Sequence, residues 1–476
     1  MKKFAILIIF ILLVASLHAA AAAERVVHPD PRAMTFQPLS FKVPEAERHI
    51  LDNGMIVYLL EDRELPVVTM QAYLATGSIH DPADKTGLAL LTGAVVREGG
   101  TAATPPEALD DELEFMASTI ESGIGADSGS VSLGCLTKNL NRTLELFVQV
   151  MTSPLFRADR VEQAKNRAIE AIRRQNDDPK ELADRELSKG IYAGHPLGRF
   201  PTIASVKAIS REDMIAFHQR SFRPNSTILA VAGDFDKGEM LARLKKAFAG
   251  WKRTERELPA VPQPSPTGKN AVLFVKRDID QSVIRMGHLG IEKNNPDLYA
   301  VTVMNVILGG NGFSSRMMAV IRSKEGLAYN AASSFQAGRR FPGTFDAETE
   351  TSAASTLRAI GLMEALIRDM TQTKVTDQEL SLAKDSIINS FIFAFTNAAT
   401  VASQRARLEF YGYPPRYLES YRDNIAKVTR EDVLRVARKY LRPEEMILVV
   451  VGDEKKFDKP LSTLGKVQEI VPDSTK

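Results

Sequence analysis

A single cysteine in 476 residues excludes an internal disulfide. Cys135 follows Leu133-Gly134 in an alternating stretch and reads as a buried structural thiol rather than a nucleophile. Charge of one sign is also missing. An N-terminal stretch of Lys2-Lys3, an apolar run from Phe4 to Leu17 and alanines from Ala19 to Ala23 has the order of a secretory signal peptide, residues 1–23, cleaved before Glu24. Taking Lys2 and Lys3 from the 61 basic residues leaves 59, equal to the 59 acidic ones. That balance gives no electrostatic footprint for nucleic acid or a membrane surface. No second apolar run reaches the ~20 residues needed to span a bilayer, so no stable membrane insertion is expected after cleavage. Export with almost no cysteine points to the periplasm or secretion. The seven histidines are scattered, and no His-x-x-Glu-His occurs in either direction.

What is present is a duplication. Ser210-Arg211-Glu212-Asp213 is echoed by Thr429-Arg430-Glu431-Asp432, Phe222-Arg223-Pro224 by Leu441-Arg442-Pro443, and Val231-Ala232-Gly233-Asp234 by Val450-Val451-Gly452-Asp453. Every pair is separated by the same 219 positions. A repeat of this length is a whole domain copied once, not a solenoid unit. At 44% hydrophobic and 25% charged residues the chain is of ordinary globular composition, and each copy is long enough to bury a core.

The first copy, 45–257, follows an extended arm at 24–44. Ile56–Leu60, after the Asn53-Gly54 turn signal, and Val67–Leu74 read as two strands of a hairpin. Gly87–Val96 and Ala108–Ser122 read as helices, Gly129–Leu136 as a strand, and Leu140–Met151 and Arg160–Gln175 as further helices. A helix at Arg211–Arg220 leads to a buried strand at Thr227–Ala232. Pro259, Pro262, Pro264 and Pro266 exclude helix and central strand from 258–268, the expected linker. The second copy, 269–476, repeats the order with strands at Ala271–Val275 and Val283–Leu289. The expected class is α+β: two homologous domains, each a largely antiparallel sheet with helices packed on one face.

Gly87-Leu88-Ala89, framed by Gly77-Ser78 and Gly100-Thr101, resembles the insulinase, pitrilysin and mitochondrial processing peptidase family. There, Gly-Leu-Ala precedes a helical His-x-x-Glu-His whose two imidazoles grip zinc while the glutamate activates the bound water. Here those positions are Leu90, Gly93 and Ala94, which bind no metal and move no proton. The family's third ligand falls near Glu170 or Ala171, and a lone Glu170 reads as a solvated helix residue. His195, in Gly194-His195-Pro196-Leu197, resembles a structural turn.

The second copy resembles the family at Leu308-Gly309-Gly310-Asn311-Gly312-Phe313-Ser314-Ser315-Arg316 and at Ile321–Tyr329. The resemblance implies that Arg322 and Tyr329, seven apart, reach across a closed chamber to substrate beside the zinc. A guanidinium can hold a peptide carbonyl, and a phenol can donate to a tetrahedral oxyanion. The bland alternative pairs Arg322 with Glu325 and packs Tyr329 in the core. Gly309, Gly310 and Gly312 read as a helix end and tight turn, and within the resemblance as substrate-binding backbone. The run lacks the Lys-Ser/Thr of a phosphate loop.

In some members of that family one chain supplies zinc and base while a homologous chain supplies arginine and tyrosine. The resemblance therefore implies a non-catalytic, substrate-binding subunit of a heterodimeric zinc peptidase. This chain would carry no cofactor itself. Zinc would sit in a homologous zinc-bearing partner, and an extended peptide substrate would be added to a sheet edge. An inert peptide-binding or scaffold protein of the same fold is the alternative. A peptidase with another nucleophile has little to stand on, because Ser314, Ser315 and Cys135 have no base placed by motif.

Overall fold

The computed structural model describes residues 43–255, 258–266 and 271–472. The expected signal peptide, and the arm up to residue 42, lie outside the described residues. Two six-stranded sheets carry the duplication. The first comprises β1 (Glu47–Ile50), β2 (Ile56–Glu61), β3 (Val67–Leu74), β4 (Thr119–Ile124), β5 (Gly129–Leu136) and β6 (Thr227–Gly233), in the order β1-β2-β6-β3-β5-β4. The second comprises β7 (Ala271–Lys276), β8 (Gln281–Leu289), β9 (Ala331–Gln336), β10 (Thr344–Ser352), β11 (Ile447–Gly452) and β12 (Val467–Glu469), in the order β12-β7-β11-β8-β10-β9. Most pairings are antiparallel, with β2–β6, β7–β11 and β7–β12 parallel. The class is α+β with two homologous units. Residues 258–266 have no regular structure.

Two local expectations change. Strands β2 and β3 do not pair: β6 lies between them, parallel to β2 and antiparallel to β3. The Asn53-Gly54 turn instead joins β1 to β2. A strand such as Thr227–Gly233, buried at every position, needs a neighbour on both sides, and the centre of the sheet supplies them. The helix expected across Ala108–Ser122 stops at Phe115. Ala117 turns the chain with φ +46°, and Thr119–Ile124 continues as an edge strand. Ile120 and Ile124, four apart, imitate helical spacing but belong to β4 and are both buried.

The principal helices of the first copy are α1 (Leu88–Glu98), α2 (Leu140–Thr152), α3 (Ala158–Arg174), α4 (Pro179–Ile191) and α5 (Arg211–Ser221). Those of the second are α6 (Leu298–Asn305), α7 (Thr356–Gln372), α8 (Asp377–Ser390), α9 (Ala398–Phe410), α10 (Tyr417–Ala426) and α11 (Arg430–Tyr440). The echoed Ser210 and Thr429 motifs are matching capping boxes at α5 and α11, each hydroxyl accepting from the third helical N–H.

Each sheet packs its own helices on one face and borrows a helix for the other. Val57, Leu59, Leu229 and Val231 point into the core of the first copy, with α1, α2 and α5. The intervening Tyr58, Ile228, Ala230 and Ala232 point the other way and are covered by Ala402 and Ala406 of α9, from the second copy. Reciprocally, Leu273, Val275, Ile447 and Val449 are covered by Leu182, Leu187 and Ile191 of α4, from the first. Period-two alternation with both faces apolar makes this exchange necessary. Small residues let the borrowed helices sit close: a β-carbon at Gly190 would come 2.9 Å from Ile447 Cδ1. Arg48 (2.7 Å) and the Tyr58 hydroxyl both engage Glu409 on α9, fixing its position along the sheet. Among the described residues no single helix is long and apolar enough to cross a membrane.

Candidate functional site

Helix α1 carries the three motif positions. Its N-terminus is capped from a distance by buried Asp81, which accepts from the backbone N–H of Gly87 (2.8 Å) and Ala89 (3.0 Å). Burial pushes that carboxyl up to about 6 against those hydrogen bonds. Leu90 is 52% exposed and Ala94 half-buried, but Gly93 is enclosed. A β-carbon at Gly93 would run into the backbone nitrogen of Ile124 and stand 2.9 Å from the carbonyl carbon of Gly123. The Ser122 hydroxyl donates to the Gly93 carbonyl (2.6 Å), and Arg97 Nε donates to the Ile120 carbonyl (3.1 Å). Strand β4 therefore occupies the space that a glutamate at position 93 would need. Glu170, on α3, is exposed and paired with Arg173. Among the described residues no three His, Cys, Asp or Glu side chains are placed to hold a metal ion. The family's zinc does not fit these residues, and no chemistry here is derived through it.

Arg322 and Tyr329 stand on the other copy. Residues Met318–Lys324 form a π-helical stretch ending before Gly326, whose φ of +65° turns the chain back. The Arg322 guanidinium lies between two rings, 4.5 Å from the centroid of Phe313 and 4.4 Å from that of Tyr329. One of its nitrogens donates to the Tyr329 carbonyl (3.0 Å). Tyr329 is 83% exposed, and Glu325 pairs with Arg358 rather than Arg322. Both parts of the bland alternative thus give way: Tyr329 is not in the core, and Glu325 is committed elsewhere. Phe313, 69% exposed, is a partner that the sequence reading passed over. Its signal was an aromatic residue directly after Gly312.

The glycine run divides by role. Gly309 and Gly310 close a π-helical turn at Val306–Gly310. A β-carbon at Gly309 would strike the backbone nitrogen of Ser333 in β9, as one at Gly93 would strike β4. Only Gly312 has positive φ (+49°) and open space around it. Ser314 and Ser315 cap this turn through the carbonyls of Asn311 and Gly312, with no base hydrogen-bonded to either. Burial pushes the Cys135 thiol up to about 11, which leaves it a poor nucleophile. His195 Nδ1 accepts from the Leu197 N–H (3.1 Å) while Nε2 donates to the Pro262 carbonyl (2.8 Å), tying the turn to the segment between the copies.

A cavity of about 890 Å³ opens where the β4–β5 turn, α4 and the β9–β10 turn meet. Arg285 on its wall pairs with Asp184 and with Glu348 (3.3 Å). Beside them burial, with Glu348 and Asp184 adding to it, raises Asp346 to about 6. A carboxyl raised from 3.8 when unfolded to about 6 when folded favours the folded state fully below pH 3.8. That contribution disappears as pH rises through 6. Asp346→Asn should therefore stabilise the protein by about 1–2 kcal/mol at pH 7.5 and by nothing at pH 4. Urea unfolding at both values checks this, and equal effects at the two would refute it.

The chain's likenesses agree with this architecture. Residues 57–202 match a family model described as insulinase (peptidase family M16), and residues 208–387 one described as peptidase M16 inactive domain, together more than half of the chain. A non-peptidase homolog, YmxG, from Helicobacter pylori is 23% identical over 89% of this chain and 95% of its own. An uncharacterized zinc protease from Mycobacterium leprae is 26% identical over 64% of this chain and 69% of its own. Among solved structures, a peptidase M16 inactive domain from Pseudomonas fluorescens superposes with a TM-score of 0.78 at 27% identity, covering 86% of this chain and 98% of that one. The periplasmic protease PqqL from Escherichia coli superposes with a TM-score of 0.73 at 16% identity, covering 92% of this chain and 50% of that one, a likeness of fold. With both family models in chain order and the fold shared nearly end to end, this protein belongs to the insulinase family, as a member whose motif positions Leu90, Gly93 and Ala94 neither bind metal nor move a proton.

Proposed function

We propose that this protein is the non-catalytic, substrate-binding subunit of a zinc peptidase, working with a homologous partner that carries an intact His-x-x-Glu-His. The observation that carries this reading is the exposed Phe313–Arg322–Tyr329 stack. Holding a guanidinium between two solvent-facing rings leaves apolar area in water that folding alone has no reason to expose. Its chemistry suits a peptide in a partner's site: Arg322 offers donors to a backbone carbonyl, and the free Tyr329 hydroxyl can donate to an oxyanion. Zinc and general base would come from the partner, since α1 supplies neither. A periplasmic or secreted location is supported by the Lys2–Ala23 pattern and by the periplasmic PqqL neighbour.

The test is affinity recovery of the tagged chain from its native cell, with metal analysis. A homologous chain with the zinc motif and one zinc per pair is expected. Recovery of this chain alone, metal-free, would replace the reading with an inert peptide-binding or scaffold role. In the reconstituted pair, Tyr329→Phe should lower kcat by about 10²–10³ with little change in KM, because the lost donor acts on the transition state. An unchanged kcat would remove Tyr329 from the site.

A further inference from the structure

A second cavity, about 440 Å³, lies between α8, α9 and α10 and shares Arg339 and Tyr413 with the larger one. Its size falls within the ~300–1,000 Å³ of small-molecule sites. Three observations distinguish it from a packing gap.

The first is positive charge without a direct ion pair, Asp127 and Glu292 acting on Arg339 and Lys293 only from a distance. Arg339, Arg340, Arg407 and Lys293 surround the segment Phe410–Tyr413, and among the described residues none has a carboxylate within ion-pair distance. Arginines elsewhere in this fold, such as Arg142, Arg157 and Arg316, hold carboxylates on the surface. Here two guanidinium groups share one ring instead, Arg339 at 4.8 Å and Arg340 at 5.4 Å from the centroid of Tyr411. Asp127 meets the Tyr411 hydroxyl (3.3 Å) but pairs with neither arginine. Lys293 sits over Tyr413 at 5.8 Å, its pKa lowered by burial, with Arg340 acting the same way and the neighbouring Glu292 against it. Like charges gathered around one segment call for an anion.

The second is unspent hydrogen-bonding capacity. The hydroxyls of Tyr413, Tyr417 and Tyr421 line the cavity without a partner among the described residues, and burial raises all three phenols. Gln404 Oε1 is buried there with no donor. The third is an aromatic wall: Phe391 stacks on Tyr421 at 5.3 Å, and Tyr417 lies 4.8 Å from Tyr413 and 5.7 Å from Tyr421.

Guanidinium and phenol donors suit a carboxylate, the lone amide oxygen suits a ligand N–H, and the rings suit an aromatic body. We propose that this cavity binds the carboxylate of an N-acylated aromatic amino acid, either free or as the C-terminal residue of a peptide. The site uses none of the residues assigned to peptide cleavage, so its failure leaves the subunit reading untouched, and the reverse holds too.

Isothermal titration of the full secreted chain with N-acetyl-phenylalanine, its carboxamide, and a short peptide ending in phenylalanine, as free acid and as amide, tests this. The acids should bind saturably and the amides at least about tenfold more weakly, since a hydrogen bond to a charged group is lost. Arg407→Gln and Arg339→Gln should each reproduce that loss with acid ligands. Arg407 is exposed and unpaired, so its variant folds even if the other does not. Tighter binding of the peptide acid would identify a peptide C-terminus as the natural ligand, and equal binding a free acid. Acid and amide binding alike, wild-type affinity in Arg407→Gln, inorganic phosphate competing as well as the acid, or no saturation up to about 10 mM would each overturn the proposal.

Discussion

Replacing Ala406 with aspartate is expected to unfold the first sheet, although all six strands of that sheet lie before residue 234. Ala406 is fully buried against the outer face of β2 and β6, beside Tyr58, Ile228 and Ala230. A carboxylate there has no partner and must be desolvated, a change of more than about 4 kcal/mol and among the most damaging single substitutions. The reciprocal contact gives a milder probe. Leu182→Ala, at a fully buried position of α4 over the second sheet, should cost about 2–5 kcal/mol. Because each copy covers the other's sheet, both variants should shift one cooperative transition rather than split it. Calorimetry that shows two transitions, with only one displaced, would disprove the interlocking. For the same reason a chain ending near Glu255 should fail to fold: it would present the apolar outer face of β2, β6 and β3 to water.

The zinc motif cannot be restored by substitution alone. Leu90→His with Ala94→His should fold, since one side chain is half exposed and the other half-buried. Adding Gly93→Glu should destabilise the protein by more than about 3 kcal/mol, because helix and strand would have to separate by more than a side-chain adjustment allows. Gly93→Ala alone isolates the effect, requiring only a β-carbon against the Ile124 backbone. Thermal unfolding of the three variants measures it, and a Gly93→Glu-bearing protein as stable as its double-histidine parent would show that β4 yields readily. The obstruction is built into the packing, since α1 is anchored to β4 by Arg97 and, at Gly93 itself, by Ser122.

Much of this was readable from residues. The constant offset between Ser210 and Thr429 announced two copies, and both motifs are capping boxes. Strands β3 and β5 were legible because one apolar face gives clean alternation over Val67–Leu74 and Gly129–Leu136. Strand β4 was not, because a four-residue isoleucine spacing fits helix as well as strand, and the deciding turn at Ala117 has no glycine to mark it. Arg322 and Tyr329 are singled out by the family resemblance of the surrounding glycine-rich and Gly-Leu-Ala-Tyr stretches, since their spacing alone fits a helix pair and a core tyrosine as well. Phe313 was missed because an exposed phenylalanine acquires meaning only when a cation is seen against its ring.

The sequence by itself determined the duplication, the class of fold and the loss of the His-x-x-Glu-His motif at Leu90, Gly93 and Ala94, since these depend on periodicity and residue type. Only the tertiary structure decided that α4 and α9 change places, that β4 closes the space beside Gly93, and that Arg339, Arg340 and Arg407 gather around one aromatic segment with no ion pair to a carboxylate among the described residues. Each of these joins residues far apart in the chain, and nothing local in their codes records the meeting. Contact, burial and charge balance are properties of the packed chain.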